Sequence, residues 1–249
     1  MCAYVLSVIR FKTDYRHSKL GYLWEYINLI FITGFLYAIW SRVLNESEKF
    51  EYFLYVFIGF HCWGLISRLL DHSSSFRSRA IGLLRRNHST LFEQVISDIV
   101  YCLIPTALTV PLVLTLVLVT VETDLLSFIC AIYSLFMILV SGASLIVIVG
   151  LSSFYIEDIS RFIKTVMRVA FLLTPILWTV EMLPESERKL VYLNPFYSYI
   201  DVYRTALLGQ EVSSLSLIVM TVISLITVTF AFLCFLRLSP RIIVRIFNV

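Results

Sequence analysis

Long apolar blocks, nearly free of charge, dominate the pattern of hydrophobic and polar positions along this chain. The core of a lipid bilayer is about 30 Å thick, so an α-helix needs roughly 20 apolar residues to cross it. The apolar period is helical or unbroken, and it never shows the alternation of a membrane β-barrel strand. The pattern therefore predicts about six membrane-spanning helices. The predicted spans are Leu23–Val43, Tyr52–Leu70, Ile99–Val121, Leu125–Phe154, Ile163–Val180 and Leu215–Leu236.

Composition supports a membrane protein. Of 249 residues, 59% are hydrophobic and 15% are charged, and the mean hydropathy is +0.87. A soluble domain of this length would carry roughly a quarter charged residues. We therefore predict an all-α membrane protein with a single transmembrane domain over residues 1–249. The fourth span contains the small residues 141–144, which are suited to close contact between helices. The fifth span is short and carries Lys164 and Arg168 near its start.

The distribution of Lys and Arg predicts the orientation, because these residues collect on the cytoplasmic side of membrane proteins. With a cytoplasmic N-terminus, the inside segments hold 15 of the 20 Lys and Arg residues and the outside segments hold 5. We therefore expect both ends of the chain in the cytoplasm. Basic residues in these segments could also contact nucleic acid, but topology already explains their charge, so no nucleic-acid partner is expected.

Residues 1–20 are predicted to form an amphipathic helix at the cytoplasmic surface. Its apolar residues are Tyr4, Val5, Val8, Ile9 and Phe11. A basic cluster follows, and such a helix can rest on anionic headgroups or against a protein partner. The alternative is a simple basic flank of the first span.

The longest inside segment, residues 71–98, contains two adjacent leucines, Leu83 and Leu84, between basic residues. This segment could be a docking face for a partner. Alternatively, its arginines extend along the membrane surface while the leucines dip into lipid. Thr90 followed by Glu93 fits a capping box, which predicts a helix that starts there and runs on into the third span. Asp98, near the cytoplasmic entry of that helix, is expected to lie close to water.

The outside segment, residues 181–214, contains an aromatic stripe at helical spacing. Its members are Tyr192, Phe196, Tyr199 and Tyr203. Asn194 followed by Pro195 is typical of a helix start. A half-helix that dips back into the membrane would explain the short fifth span. The stripe is either an interfacial aromatic belt or an apolar lining over which sugar rings slide.

Several chemistries are missing from the sequence. The nearest spacing to a phosphate-binding loop, Gly59 to Gly64, is followed by Leu65 and Ile66 inside a predicted span, so it cannot cradle phosphate. The spans lack acids or bases at mid-membrane depth, which ion-coupled carriers use to handle charge. Uphill transport would therefore need energy from another chain, and no cofactor is expected on this one.

Motifs spread over nearly the whole chain resemble one family, the membrane subunits of ABC-2-type polysaccharide exporters. These proteins move O-antigen, teichoic acid or capsular polysaccharide out of bacterial cells. The matching stretches, in order, are residues 18–24 (SKLGYLW), 82–84 (GLL), 150–159 (GLSSFYIEDI), 173–178 (LTPILW), 183–184 (LP), 193–195 (LNP) and 207–209 (LLG).

The resemblance implies a mechanism in which two copies pair around a central channel. Each copy would bind one cytoplasmic ATPase subunit, which carries ATP and Mg, and the N-terminal helix would pack beside the coupling segment. The implied ATPase-coupling residues are Ile81, Gly82, Leu83, Leu84, Arg85, Arg86, Glu157 and Asp158. Re-entrant helices near Glu185–Tyr192 and Phe196–Leu208 would form the outer gate, with the aromatic stripe as the channel or gate residues. Many members have Arg-Asp where this chain has Glu157-Asp158, so the family's basic contact does not carry over to Glu157.

The leading hypothesis is a permease subunit that exports lipid-linked polysaccharide across the bacterial cytoplasmic membrane. O-antigen is the first candidate, and capsular polysaccharide or teichoic acid is the next. An ABC exporter of a lipid or drug is an alternative. A membrane enzyme acting on polyprenyl-linked sugars is another, but it would need clustered acids, and Glu157-Asp158 is the only adjacent acidic pair in the inside segments. A purely structural membrane subunit is the remaining alternative.

Overall fold

The computed structural model describes residues 3–40, 42, 46–87 and 90–247, and all regular structure in this part of the chain is helical. The helices are α1 (Ala3–Asp14), α2 (Leu23–Trp40), α3 (Glu46–Ser74), α4 (Phe76–Asn87), α5 (Leu91–Thr120), α6 (Leu125–Ser152), α7 (Ile159–Leu173), α8 (Glu185–Val191), α9 (Tyr197–Leu207) and α10 (Ser214–Phe247). A short 3-10 helix covers Val180–Met182 between α7 and α8.

Large apolar side chains on the long helices face outward as well as into the bundle. Leu225 and Phe232 on α10 are more than half exposed, as are Phe31 on α2 and Leu126 on α6. Soluble monomers rarely expose so much contiguous apolar surface. Helices α2, α3, α5, α6 and α10 are also long and apolar enough to cross a bilayer. Together these features describe a multi-pass membrane protein.

The fifth predicted span is only partly helical. Helix α7 has 15 residues, a length of about 22 Å, and it ends at Leu173 rather than continuing to Val180. Thr174 takes an extended conformation, because the proline that follows disfavours a helical residue before it. By length, α7 is not among the helices that could cross a bilayer unaided.

Helices α3, α5 and α10 are longer than the predicted spans, while α6 ends two residues before the predicted Phe154. The capping box is confirmed, since Thr90 Oγ1 accepts from the Glu93 amide at 3.1 Å and the Glu93 carboxylate accepts from the Thr90 amide at 2.9 Å. Helix α5 therefore begins two turns before the predicted third span, and α10 continues through the basic tail to Phe247. Val43, the predicted end of the first span, lies outside the described residues.

Helix α6 lies at the centre of the bundle, against α3, α9 and α10. The small residues 141–144 were predicted to allow close helix contact, and this is confirmed. A Cβ atom added to Gly142 would lie 2.4 Å from Leu69 Cδ1, so α3 and α6 approach closely here. The end of the bundle that carries α1, α4 and the start of α5 is called the basic end below, and the end that carries the 121–124 turn is called the opposite end.

Candidate coupling surface and outer-gate region

Helix α4, which contains most of the predicted coupling residues, packs one apolar face on the bundle. Phe76 and Ala80 are fully buried, and Leu84 is only 5% exposed. Their spacing of four residues makes a single stripe along the helix. Leu84, one of the predicted coupling residues, therefore faces the bundle in this arrangement, because an amphipathic helix buries its apolar stripe first. Its predicted contact with a partner stays a prediction.

The outward side of α4 is formed by other residues. Gly82 is exposed, and a Cβ atom added there would meet nothing within 4 Å. Ile81 is half-buried, and Ser78 is exposed. The side chains of Leu83, Arg85 and Arg86 lie outside the described residues, so their predicted role is not addressed by the structure.

The structure brings the predicted acidic pair close to α4. Glu157, in the turn between α6 and α7, forms an ion pair with Arg77 of α4 at 3.3 Å, and its side chain is 82% exposed. Asp158 pairs at 3.1 Å with Arg161, one turn further along, and both are exposed. Such surface pairs contribute about 0–1 kcal/mol each. They position this turn weakly and leave it accessible.

Helix α1 lies along α5 through two matching polar stripes. Ser7 donates to the Ser97 carbonyl at 2.8 Å, Arg10 pairs with Asp98 at 3.1 Å, and Asp14 accepts a hydrogen bond from Tyr101. The apolar residues Tyr4, Val5 and Ile9 of α1 are exposed instead. An amphipathic helix at this position was predicted, but the structure turns its polar stripe inward and leaves much of its apolar surface for lipid or a partner.

Asp98 is a fully buried carboxylate at the basic end. Besides Arg10, it pairs with Arg79 of α4, whose Nη2 atom lies 2.8 Å from Asp98 Oδ2. Gln94, one turn earlier on α5, donates to Asp98 Oδ1 at 2.8 Å. Three donors from three helices therefore meet on one acid. The sequence interpretation expected Asp98 to remain close to water, and its burial is a correction.

A second ion pair joins α2 and α3 near the same end. Arg68 donates to Glu25 at 2.6 Å, and the Tyr15 hydroxyl donates to the other Glu25 oxygen at 2.5 Å. Burial, together with the Glu25 carboxylate, raises the pKa of Tyr15 above its usual value. Charged residues within these helices are thus satisfied by one another.

Helix α9, in the predicted outer gate, is buried in the bundle interior. Tyr199 and Tyr203 are 5% and 2% exposed. The Tyr199 hydroxyl bonds to Ser141 at 2.7 Å and to Ser224 at 2.9 Å, and the Tyr203 hydroxyl bonds to His61 Nδ1 at 3.0 Å. In this arrangement these two rings do not form an exposed lining for sugars, because α9 is enclosed by α3, α6 and α10.

The other two aromatic residues lie at the more accessible start of this segment. Phe196 is half-buried against Trp63 of α3, with ring centroids 5.7 Å apart, and Tyr192 packs edge-on to Tyr197. Asn194 Oδ1 accepts from the Phe196 amide at 3.0 Å, which is the predicted capping contact, although the regular helix begins at Tyr197. Phe196 also lines an apolar cavity of about 260 Å³ beside Gly142 and Leu69.

Arg204 anchors α9 to the end of α7. It is 3% exposed, it donates to the Pro175 carbonyl at 2.8 Å, and its guanidinium lies 3.5 Å from the centre of the Tyr55 ring. The Tyr55 hydroxyl donates to the Pro175 and Trp178 carbonyls at 3.1 and 3.0 Å. Non-helical backbone within a membrane protein needs such partners. Arg204, which the sequence reasoning assigned to an outside segment, therefore stabilises the break after α7.

Comparison with known proteins identifies the family of this chain. Residues 3–208 match the ABC-2 type transporter family, and this range covers α1 to α8 and extends one residue beyond the end of α9. The chain belongs to this family. The O-antigen export system permease protein RfbA of Klebsiella pneumoniae is 25% identical over 228 residues, which are 86% of this chain and 85% of that protein.

As an ABC-2 type transporter, the chain is a membrane subunit of a transport system, and the family works with an ABC ATPase. The ABC-2 match extends from α1 through α9. It therefore includes both the helices around Asp98 and the helices around Arg204.

The sequence reasoning missed the stripe on α5, although its signal was present. Gln94, Ser97, Asp98 and Tyr101 follow the spacing of one helix face at the start of an apolar helix. Ser7, Arg10 and Asp14 repeat that spacing on α1. Two such polar stripes on neighbouring helices predict a contact. The burial of Arg204 had no comparable signal, because its partners are one backbone carbonyl, that of Pro175, and the ring of Tyr55.

Proposed function

We propose that this chain is the permease subunit of an ATP-driven exporter of lipid-linked polysaccharide, with O-antigen as the first candidate and capsular polysaccharide or teichoic acid as the next. The observation that carries the proposal is the family match over residues 3–208, together with a relative named for O-antigen export. The proposed location is the bacterial cytoplasmic membrane, with both ends of the chain in the cytoplasm.

In this proposal the chain forms one domain and works as a pair of identical copies around a central channel. The exposed apolar sides of α2 and α7 support a second copy or lipid as their neighbour, since Phe31, Phe35 and Leu172 are all at least 60% exposed. Helix α7 and the non-helical segment after it would together make the remaining membrane crossing. The bonding of this segment supports this reading, because its carbonyls accept hydrogen bonds from Tyr52, Tyr55 and Arg204.

Each copy would bind one cytoplasmic ATPase subunit, which holds ATP and Mg, at the basic end. Helix α4 would be the coupling helix, with the turn at Glu157 and Asp158 beside it. The exposed position of Gly82 and the closeness of Glu157 to Arg77 support this assignment. Of the coupling residues proposed from the sequence, Ile81 to Arg86, Leu84 would not contact the ATPase, because its side chain packs between α4 and the bundle.

Helices α8 and α9 would form the outer gate. The contacts at the two ends of α9 support this role. Phe196, just before α9, packs against Trp63 and lines the apolar cavity. Gly209, just beyond the end of α9, lies close to the Glu122 carbonyl in the turn before α6. Tyr192 and Phe196 are the gate residues open to a passing chain. Tyr199 and Tyr203 would instead hold α9 in place until the gate moves.

Deletion of the gene tests the substrate class. The proposal expects completed polysaccharide to accumulate on the cytoplasmic side, and a plasmid copy of this chain to restore export. Loss of glycan synthesis would favour the enzyme alternative, and normal surface glycan with altered lipid or drug export would favour the other transporter alternative.

A substitution at Gly82 tests whether the ATPase subunit binds at α4. Gly82→Glu places a charged side chain on the outward side of α4 without an internal clash, so the chain should fold but lose the co-purifying ATPase. Gly82→Ala is the matched control and should retain it. Normal ATPase recovery with Gly82→Glu would contradict the docking assignment.

A further inference from the structure

The cluster around Asp98 joins three helices that are separate in sequence. Asp98 lies on α5, Arg10 on α1 and Arg79 on α4, and the Asp98 side chain is fully buried. The two arginine side chains are 24% and 17% exposed. A buried carboxylate is costly unless it is paired and hydrogen-bonded, so its partners are held to it.

Arg79 is the link to the proposed coupling helix. Its Nε and Nη2 atoms lie 3.2 and 2.8 Å from the two Asp98 oxygens, which is the two-point contact that a guanidinium makes with a carboxylate. Its Nη2 also donates to the His72 carbonyl at 2.5 Å, at the end of α3. Arg79 precedes the exposed Gly82 by one turn, so a displacement of the outward side of α4 acts directly on this contact.

Contacts on either side of Asp98 keep α1 in the same unit. Ser7 bonds to Ser97, and Asp14 bonds to Tyr101. The Tyr101 ring stacks on His72 of α3 with centroids 4.4 Å apart, and the Arg10 guanidinium lies 5.2 Å from the Tyr101 ring centre. Helix α1 is therefore fixed to α5 at three positions between Ser7 and Asp14 rather than at one point.

From this geometry we propose that Asp98 is a positioning residue that makes α1, α4 and the start of α5 move as one body. The inference rests on the proposed function, because it takes α4 as the helix that the ATPase displaces. Helix α5 then carries that displacement into the bundle, since its 30 residues run on as a single helix. Asp98 touches neither nucleotide nor glycan in this account.

The test compares ATP hydrolysis with glycan export in vesicles that contain the full permease–ATPase complex. Asp98→Asn and Arg79→Gln should leave ATP hydrolysis near the native rate. The ATP used per exported glycan should rise about fivefold or more, the low end of typical coupling effects. Asp98→Glu, which keeps the charge, should recover part of the coupling. Lys12→Gln, an equal loss of charge at an exposed site on α1, is the matched control and should match the native ratio.

Each other outcome of this assay overturns the proposal. Export and hydrolysis that fall in proportion would show that Asp98 only supports folding, and an unchanged ratio would show that it has no role in coupling. If Asp98→Asn does not assemble with the ATPase, the ATP used per exported glycan is measured for Arg10→Gln and Arg79→Gln instead. Each of these variants removes one arginine and leaves Asp98 paired with the other.

A distance measurement separates failure of this inference from failure of the proposed function. Nitroxide labels carried by non-canonical amino acids at positions 78 and 92 would report the spacing of α4 and α5. Both positions are exposed. In the native complex this distance should be the same without nucleotide and after vanadate trapping, and in Asp98→Asn it should change on trapping. An equal distance in both states of Asp98→Asn would refute the proposal that Asp98 makes α4 and α5 move together, even if no glycan is transported.

Discussion

Two buried acids at opposite ends of the bundle are held in different ways. Asp98, at the basic end, is paired with arginines from two other helices. Asp201, on α9, accepts from the hydroxyl groups of Tyr197 and Ser216 at 3.1 and 2.6 Å. At the basic end, ion pairs join separate helices. At the opposite end, hydrogen bonds with hydroxyl and carbonyl groups fix α9 in the interior.

In the proposed mechanism, the helices around Asp98 move together as one body, whereas α9 must leave its contacts when the gate opens. An ion pair with a two-point contact keeps its geometry while its helices travel together. A helix that opens must instead break its contacts with its surroundings, and neutral hydrogen bonds contribute only about 1 kcal/mol each. Helix α9 is held by several of these and by one strong contact, Arg204. Loss of Arg204 is therefore expected to weaken the hold on α9 more than loss of any one of these hydrogen bonds.

Arg204→Ala should have the largest effect on stability. It removes the donor to the Pro175 carbonyl and the cation over Tyr55, which together should lower the free energy of unfolding by about 3–5 kcal/mol. Unfolding of the detergent-solubilised chain measures this. Arg188→Ala is the matched control. Arg188 also donates to backbone carbonyls, those of Leu183 and Glu181, but these lie in the accessible segment before α8. Equal losses for the two variants would contradict the anchoring role.

Gly209→Ala should come next, because it disturbs the point where α9 leaves the interior. Gly209 has a φ of +64°, and an added Cβ would lie 2.6 Å from the Glu122 carbonyl oxygen. The backbone strain and the clash should together lower the free energy of unfolding by roughly 2–3 kcal/mol. Gly34→Ala on α2, where the added Cβ meets nothing within 4 Å, is the control and should be nearly neutral. A neutral Gly209→Ala would show that this turn adapts freely.

Tyr203→Phe should have a smaller effect that isolates one hydroxyl. The ring stays in place, but His61 Nδ1 loses its partner at 3.0 Å, so the free energy of unfolding should fall by about 1–2 kcal/mol. Because α9 would then be held less firmly, export should not fall below the native rate. Reduced export with unchanged stability would return the ring to the sugar-lining role predicted from the sequence.

Glu157→Gln should have the smallest effect on stability. Its ion pair with Arg77 is exposed, so the free energy of unfolding should change by less than about 0.5 kcal/mol, and less still at high salt. Unfolding at low and high ionic strength measures this. A loss comparable to that of Tyr203→Phe would mean that the turn is structural, and would weaken its assignment to the ATPase surface.

The sequence predicted the helical membrane fold because long apolar blocks leave few alternatives in lipid. It also predicted the capping box at Thr90 and the close contact at Gly142, since both signals are local. It did not predict that Leu84, Tyr199 and Tyr203 are buried, because their apolar character also suggested exposed recognition surfaces. Apolar side chains at helical spacing fit a buried face equally well, and only the packing of α4 on α6 and of α9 inside the bundle distinguishes the two.

The candidate site was harder to predict than the fold because its contacts are long-range. Arg204 meets the Pro175 carbonyl 29 residues earlier in the chain, and Arg10 on α1 meets Asp98 88 residues later. The end of α7 at Leu173 was missed for another reason. Apolar residues continue past it to Val180, and apolar content alone does not report that the chain becomes extended at Thr174.

The proposal that a separate ATPase drives export is tested by transport with the purified chain, with and without a nucleotide-hydrolysing partner. The chain is placed in vesicles alone, or as the complex that co-purifies from its own cell, and movement of lipid-linked glycan is followed after ATP addition. The account predicts movement only with the ATPase subunit present and ATP hydrolysed. Glycan movement by this chain alone, at the same rate with or without nucleotide, would contradict it.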